Sequence, residues 1–496
     1  MYLLGIDIGT SFIKASLVET NTQKCIVTVS YPDSENAIIS HRNGWAEQSP
    51  EMWWKQVQEA IVKLHQAAKK ALPTYDSLAI EAIGIAYQMH GLVLVDKNKK
   101  VLRDSIIWCD SRAVSYGEQA FDAIGHQQCL SHLLNAPGNF TAAKLAWVKE
   151  NEPEVFSQIY KVMLPGDYIA MQLSSEITTS IAALSEGIFW DFKNNCISKD
   201  ITQYFGFEAS IFPTIQEVFS HHGALSKTVA STLSLKAGIP ISYKAGDQPN
   251  NALSLNVLEP GEVAATAGTS GVIYGVGDTL SYDLASRVNS FAHINHSATA
   301  HRIGMLLCIN GTGILNSWIK KYVGANYDYS TMNQMASTVA SGSDGITILP
   351  FGNGAERIFN NKIIGAQILG LDLNKHSAAH LFRAAQEGIA FAFRYGLDIM
   401  RENKLQPTMI KAGKANLFQS PVFTHSFVNA TGVPVSLYNV EGSVGAAIGA
   451  GIGAGMYASS KEAFTGLKPI DIITPKESEK YNVLYENWKN KLAQFI

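Results

Sequence analysis

Tyr2-Leu3-Leu4-Gly5-Ile6-Asp7-Ile8-Gly9-Thr10-Ser11-Phe12-Ile13-Lys14-Ala15-Ser16-Leu17-Val18-Glu19 opens the chain and decides how the rest is read. Two apolar runs, Tyr2 to Asp7 and Phe12 to Glu19, are separated by turn residues, and a third run, Lys24 to Tyr31, follows. This pattern predicts three strands in an antiparallel meander. The same device returns midway: Glu262 to Ala267 leads into Gly268-Thr269-Ser270-Gly271 and then the strand-like Val272 to Val276. Two copies of strand, Gly-Thr-Ser turn and strand predict a duplicated α/β architecture. The boundary is expected near Asp247, giving halves 1–246 and 247–496 that face one another across a cleft, a preferred place for ligands.

Working outward from the first copy, Ser49 is a good N-cap and Pro50 fits the first helical position. Trp54, Val57, Ile61 and Leu64 then recur at helical spacing, predicting an amphipathic helix to about Leu72. Ala79 to Tyr87 reads as a buried strand. It places Gln88-Met89-His90-Gly91 at a strand's C-terminal end, where open α/β sheets bind ligands. Lys236 to Tyr243 leads in the same way into Ala245-Gly246-Asp247. Farther on, Ala378 to Met400 is an amphipathic helix whose Glu387 and Gly388 are expected to serve packing against the C-terminal sheet.

Composition narrows the function. Of 496 residues, 46% are hydrophobic and 16% charged, which suits a compact enzyme, and the net charge of −3 supports neither a nucleic-acid nor a membrane footprint. The five cysteines lack metal-ligand spacing or an even framework, so reduced thiols in a cytoplasmic protein are expected and structural zinc is not. No secretory signal is evident at the N-terminus, and the Gly/Ala-rich Val444 to Tyr457, too short to span a bilayer, is expected to be a close-packed turn and helix. There is no Walker motif. Gly449 to Ala454 matches a dinucleotide pattern only loosely, with too little chain after it for a βαβ unit.

A tight Gly-Thr-Ser turn aims backbone N–H groups and hydroxyls at one point, as a phosphate requires. A single such turn is equally well read as hairpin punctuation; the pairing of two favours a polyphosphate gripped by Thr10 and Ser11 on one side and Gly268, Thr269 and Ser270 on the other. Asp7 adds a carboxylate that could ligate magnesium or orient its water, and Lys14 adds compensating positive charge.

Asp7 to Ser11, the Trp108, Asp110, Arg112 cluster, Phe140 to Trp147, Gly246 with Asp247, and Gly268 to Gly271 resemble, in order and over nearly the whole length, the FGGY carbohydrate kinases. The resemblance implies an actin-like fold of two ribonuclease H-like domains, ATP and Mg2+ as cofactors, a small sugar as substrate, and homodimerisation as the family's habit. Gln88-Met89-His90-Gly91, and Gly44 to Gln48 with Trp53 and Trp54, are similar to the members that act on xylulose. They imply transfer of the ATP γ-phosphate to the 5-hydroxyl of D-xylulose.

By the same resemblance Asp247 is the general base, His90 bonds an acceptor hydroxyl and Met89 packs on its carbon face, with Gln88 beside them. Thr269, Gly313, Gly413 and Asn416 meet the nucleotide. Read without the family, Asp247 is also a turn aspartate and His90 a structural histidine. Trp108 and Asp110 fit either a polyol pocket or a core and hinge. Three features depart from the family pattern: Ala412 before Gly413, Ser317 where some relatives have a longer polar residue, and Gln248-Pro249-Asn250-Asn251 after Asp247. The last leaves room for another ketose or polyol. A non-catalytic ATP-binding switch of the same fold is the contrasting reading, and it has no use for a sugar pocket beside a base.

Overall fold

The computed structural model describes residues 1–496, which form two compact units. The first contains Met1–Asn256, Phe291–Ile303 and Val440–Leu467; the second contains Val257–Ser290, Gly304–Asn439 and Lys468–Ile496. The division therefore falls after Asn256 rather than at Asp247, and the chain beyond it is not one continuous half. The physical reason is a helix, Gly442–Gly453, that belongs with the first unit's sheet although it lies near the end of the chain.

In the first unit, β1 (Tyr2–Ile8), β2 (Ile13–Glu19) and β3 (Cys25–Tyr31) form the expected antiparallel meander. β4 (Ile80–Tyr87) lies parallel to β1, and β5 (Ile241–Gly246) parallel to β4, giving the order β5-β4-β1-β2-β3. The helix Pro50–Ala71 begins as its sequence predicts, with the Ser49 hydroxyl accepting the Met52 N–H. Its buried face centres on Trp53 rather than Trp54: Trp53, Val57, Ala60, Ile61, Leu64 and Ala68 are wholly buried. The Trp53 indole N–H donates to Gln48 Oε1 at 3.1 Å. Truncating such a residue to alanine typically costs about 3–5 kcal/mol.

Gly442–Gly453 lies against β1, β4 and β5 because small residues on both sides let backbones touch. A Cβ at Gly5 would lie 1.8 Å from the Ser443 carbonyl oxygen, and one at Gly84 would lie 1.9 Å from that of Ala446. The Gly/Ala richness of this segment is thus a packing requirement, neither a membrane span nor a dinucleotide loop.

In the second unit, β6 (Glu262–Ala267) and β7 (Gly271–Gly277) are antiparallel around the second Gly-Thr-Ser turn. With β8 (Asn289–Ala292), β9 (Ile303–Ile309), β10 (Met409–Gly413), β11 (Val435–Tyr438) and β12 (Asp471–Ile473) they form a sheet ordered β8-β9-β7-β6-β10-β11-β12. Its central five strands repeat the first unit's pattern. An antiparallel partner flanks the first strand on one side, and two successive parallel strands flank it on the other. The helix Ala378–Glu402 buries most of its length in this unit's core. Glu387 accepts hydrogen bonds from the Gly342 N–H and the Ser343 hydroxyl and pairs with Arg383 at 2.8 Å, a packing role as expected. No helix is long and apolar enough to cross a membrane.

Candidate active site and nucleotide cavity

In the first unit the chemistry gathers at the C-terminal ends of β1, β4 and β5. Asp7 is the penultimate residue of β1 and pairs across the hairpin with Lys14. Its surroundings desolvate it while the residue keeps some accessible surface. That burial pushes its carboxyl up to about 6, with the Lys14 charge acting downward and Glu441 upward. Lys14 is anchored by Glu441, Nζ to Oε2 at 2.8 Å. A Cβ at Gly442 would lie 2.4 Å from Asp7 Oδ2, so only glycine lets the helix Gly442–Gly453 begin against that carboxylate. The Asn250 side chain holds the turn by donating to the Gly442 carbonyl at 2.8 Å.

Asp247 opens the helix Asp247–Ser254 directly after β5. Burial, followed by the charge of Asp7, pushes its carboxyl up to about 7, although hydrogen bonds from Gln248 act in the other direction. A helix N-terminus favours a carboxylate, so desolvation and the neighbouring acid outweigh that help. Asp247 therefore combines solvent access with a pKa near neutrality, which is what proton transfer at physiological pH requires.

Beyond β4, His90 adopts a left-handed backbone with φ of +63°. Its Nδ1 lies 3.0 Å from the Glu186 carbonyl, and its ring meets Phe140 edge-on, with centroids 4.9 Å apart, and Phe291 at 5.5 Å. Lys144, from the Phe140–Trp147 motif, is wholly buried and donates to the carbonyls of His90 and Ile107 at 2.8 and 3.0 Å. Burial lowers its ammonium to about 7, against the opposing pull of Asp110. Met89 is buried beside Gly246, where a Cβ would come within 2.6 Å of its Cγ. The structure thus brings Met89, His90 and the Gly246-Asp247 pair together.

Two expected sugar contacts have other employment. Gln88 is buried with both ends of its amide used: Oε1 accepts from the Thr10 hydroxyl and Nε2 donates to Gln48, each at 3.1 Å. Asp110 has no exposed surface, and its two oxygens accept the Ala46 N–H together with the backbone and guanidinium of Arg112. Arg112 in turn stacks 3.8 Å from the Trp45 ring and pairs with Glu47. Asp110 is therefore a core residue, not a polyol contact, because its lone pairs are already taken. Trp108 is 54% exposed, and its indole N–H donates to Thr10 Oγ1 at 3.0 Å. Thr10, Gln88, Gln48 and Trp108 form one connected network, with Ser11 next to it in the turn.

In the second unit, Gly268, Thr269, Gly313 and Asn416 line a cavity of about 300 Å³ together with Asn316, Ser317, Tyr329, Asn333, Gln419 and Ser420. The Gly313 and Ile314 N–H groups donate to the Gly268 and Thr269 carbonyls, each at 3.0 Å, so the second turn sits on the start of the helix Gly313–Tyr322. A Cβ at Gly313 would lie 2.1 Å from the Gly268 oxygen. A helix N-terminus beside a Gly-Thr-Ser turn is a ready site for an anion. Ser270 completes the turn, whereas Gly413 ends β10 three residues before Asn416 and does not line the cavity.

Sequence reasoning missed Asn316, Tyr329 and Asn333, helical positions that carry no motif, and it missed Glu186. The signal for Glu186 was available: it is the only acid in the apolar run Ile181–Trp190.

A sheet of this order in each unit, an acidic centre at strand ends in one and a glycine-lined cavity in the other match the plan of an actin-like phosphotransferase. The chain belongs to the FGGY family of carbohydrate kinases, whose N-terminal domain matches residues 2–254 and whose C-terminal domain matches residues 263–454. It is 29% identical to the xylulose kinase of Haemophilus influenzae over 83% of this chain and 82% of that protein, and 28% identical to that of Bacillus subtilis over 99% and 96%. The crystal structure of xylulose kinase from Rhodospirillum rubrum matches with a TM-score of 0.88 at 25% identity, covering 100% of this chain and 99% of that one. The protein is a carbohydrate kinase.

Proposed function

We propose that this kinase transfers the γ-phosphate of ATP to the 5-hydroxyl of D-xylulose, with Asp247 as general base. The observation that carries the proposal is the grouping of Asp247, held near pKa 7, with Met89 and His90 at adjoining strand ends. The acceptor hydroxyl gives its proton to the Asp247 carboxylate as its oxygen bonds to the γ-phosphorus. The bond from that phosphorus to the β,γ-bridging oxygen breaks, and ADP departs. Positioning and charge stabilisation carry most of such a reaction, so a fixed carboxylate with a pKa near 7 is the part the protein must supply.

His90 is assigned to an acceptor hydroxyl, Met89 to its carbon face and exposed Trp108 to the pocket wall. Thr10, Ser11, Lys14, Thr269, Ser270, Gly313 and Asn416 are assigned to the nucleotide and its phosphates. Gln88 acts through Thr10 as a positioning residue. The donor set suits Mg2+, a hard ion that prefers oxygen ligands. Asp7 supplies carboxylate oxygens whose pKa is raised chiefly by burial, with Glu441 adding to the rise and Lys14 opposing it. Asp7 would hold it directly or through water, and the ion when bound would neutralise phosphate charge. ADP release with Mg-ATP against D-xylulose, L-xylulose, D-ribulose, glycerol and gluconate tests the reading. Preference for D-xylulose is expected; preference for another acceptor would reassign the pocket.

A further inference from the structure

Glu186 is the last residue of a short helix, Ile181–Glu186, whose start is capped by the Ser180 hydroxyl and whose end is tied down on both sides. The Gly187 carbonyl accepts the Ala142 N–H at 3.0 Å, and the Ser185 hydroxyl accepts the Ala292 N–H at 2.9 Å. The Glu186 side chain is therefore held in place. It is only 2% exposed, yet it has no cationic partner within ion-pairing distance. Oε1 accepts the His90 N–H at 3.3 Å, and no hydrogen bond reaches Oε2. That second oxygen points to Gly246, where a Cβ would lie 2.7 Å from it and 2.6 Å from Met89.

The little surface that Glu186 keeps includes this unbonded oxygen, so a group entering beside it can bond it. Here the neighbours of that oxygen are the residues assigned above to the acceptor: Met89, His90 and the residue before Asp247. We propose that Glu186 is a specificity-determining residue for the acceptor, its Oε2 bonding one oxygen of a neutral polyhydroxylated substrate. Burial raises the Glu186 carboxyl well above its ordinary range. The charges of Asp247 and Asp167 act in the same direction, and Lys144 and the His90 N–H oppose them. In the protonated form Oε1 accepts from His90 while Oε2–H donates to the acceptor, so the one side chain serves both at once. Gly246 is glycine here because any side chain would occupy the place where Glu186 and Met89 meet.

The inference rests on the acceptor-pocket reading but not on the identity of the sugar, and its test separates the two. The best acceptor of the wild-type enzyme is first found from the panel above; if it is not D-xylulose, the substrate reading fails and the Glu186 test proceeds with the acceptor found. Steady-state kinetics are then measured for wild type, Glu186→Ala, Glu186→Gln and the volume-preserving Glu186→Met on that acceptor and on its monodeoxy analogues.

The alanine and methionine variants are expected to raise the acceptor KM about tenfold or more and to leave the ATP KM within about twofold, as for loss of one buried hydrogen bond. Glu186→Gln, whose amide can accept from His90 and donate to the acceptor, is expected to recover most of the loss. One deoxy analogue that the wild type discriminates against should lose no further ground in Glu186→Met. Unchanged acceptor KM in Glu186→Met, equal rises in both KM values, or a deoxy penalty as large in that variant as in the wild type would overturn the assignment.

Discussion

The two Gly-Thr-Ser turns sit at the same place in the same strand order, yet the chemistry around them differs. Next to the first turn the cross-strand pair is Asp7 and Lys14; next to the second it is Thr266 and Val272. The fifth strand of the first sheet ends at Gly246-Asp247, and the equivalent β11 is followed by Asn439. Carboxylates that burial pushes to about 6 and 7 thus stand beside the first turn, whereas the raised acid of the second unit, Glu356 at about 7, is occupied in accepting the Asn310 and Gly311 N–H groups. The other copy offers backbone amides, hydroxyls and carboxamides around its cavity. The two turns share a backbone plan, and the Asp7–Lys14 pair beside the first has no charged counterpart beside the second.

The largest expected effect comes from removing the acid. Asp247→Ala should lower kcat about 10²- to 10⁴-fold, the usual contribution of a general base, with the ATP KM little changed. In the wild type, kcat/KM for the acceptor should fall about tenfold per pH unit below about 7, not below the ordinary aspartate value, because the base must be ionised in the free enzyme. A flat profile from pH 5 to 8 would break the contrast between the two turns.

Next in size is the opposite perturbation, at the second turn. Gly313→Ala forces a Cβ toward the Gly268 carbonyl. It should raise the ATP KM about tenfold or more while sparing the acceptor KM, as expected for a misplaced anion site. His90→Ala is the mirror experiment and should raise the acceptor KM several-fold with the ATP KM unmoved. Equal effects of either variant on both substrates would count against the division of labour.

The smallest expected effect is on stability. Asp247 has a folded pKa raised above its unfolded value, so its ionised form is the disfavoured one in the folded state. That penalty is absent below pH 3.8, grows as the pH rises and is complete above about 7. Asp247→Asn should therefore raise the melting temperature at pH 8 by a few degrees while remaining inactive, and the gain should vanish at pH 4. Calorimetry at the two pH values checks it.

The duplication was legible in the sequence because strand alternation and turn residues are local signals, and the N-cap at Ser49 was legible for the same reason. The division of the chain was not. The helix Gly442–Gly453 joins a sheet formed some 200 residues or more earlier, β5 excepted by little, and only the matching of Gly5 and Gly84 to its small residues reveals the partnership. The pattern Trp108, Asp110, Arg112 marked a real cluster but could not say which member faces outward; the guanidinium of Arg112 closes over Asp110 and leaves Trp108 exposed. Trp53 and Trp54 illustrate the same limit, since adjacent tryptophans on one helix differ in burial by a rotation that periodicity alone places only to within a residue.

The central claim is that Asp247 is needed for transfer and not for holding the nucleotide. The direct test pairs calorimetric titration of Mg-ATP into wild type and Asp247→Ala with D-xylulose-dependent ADP release by both. The account predicts similar ATP affinity for the two proteins, with acceptor-dependent turnover in the wild type alone; comparable turnover in Asp247→Ala would contradict it.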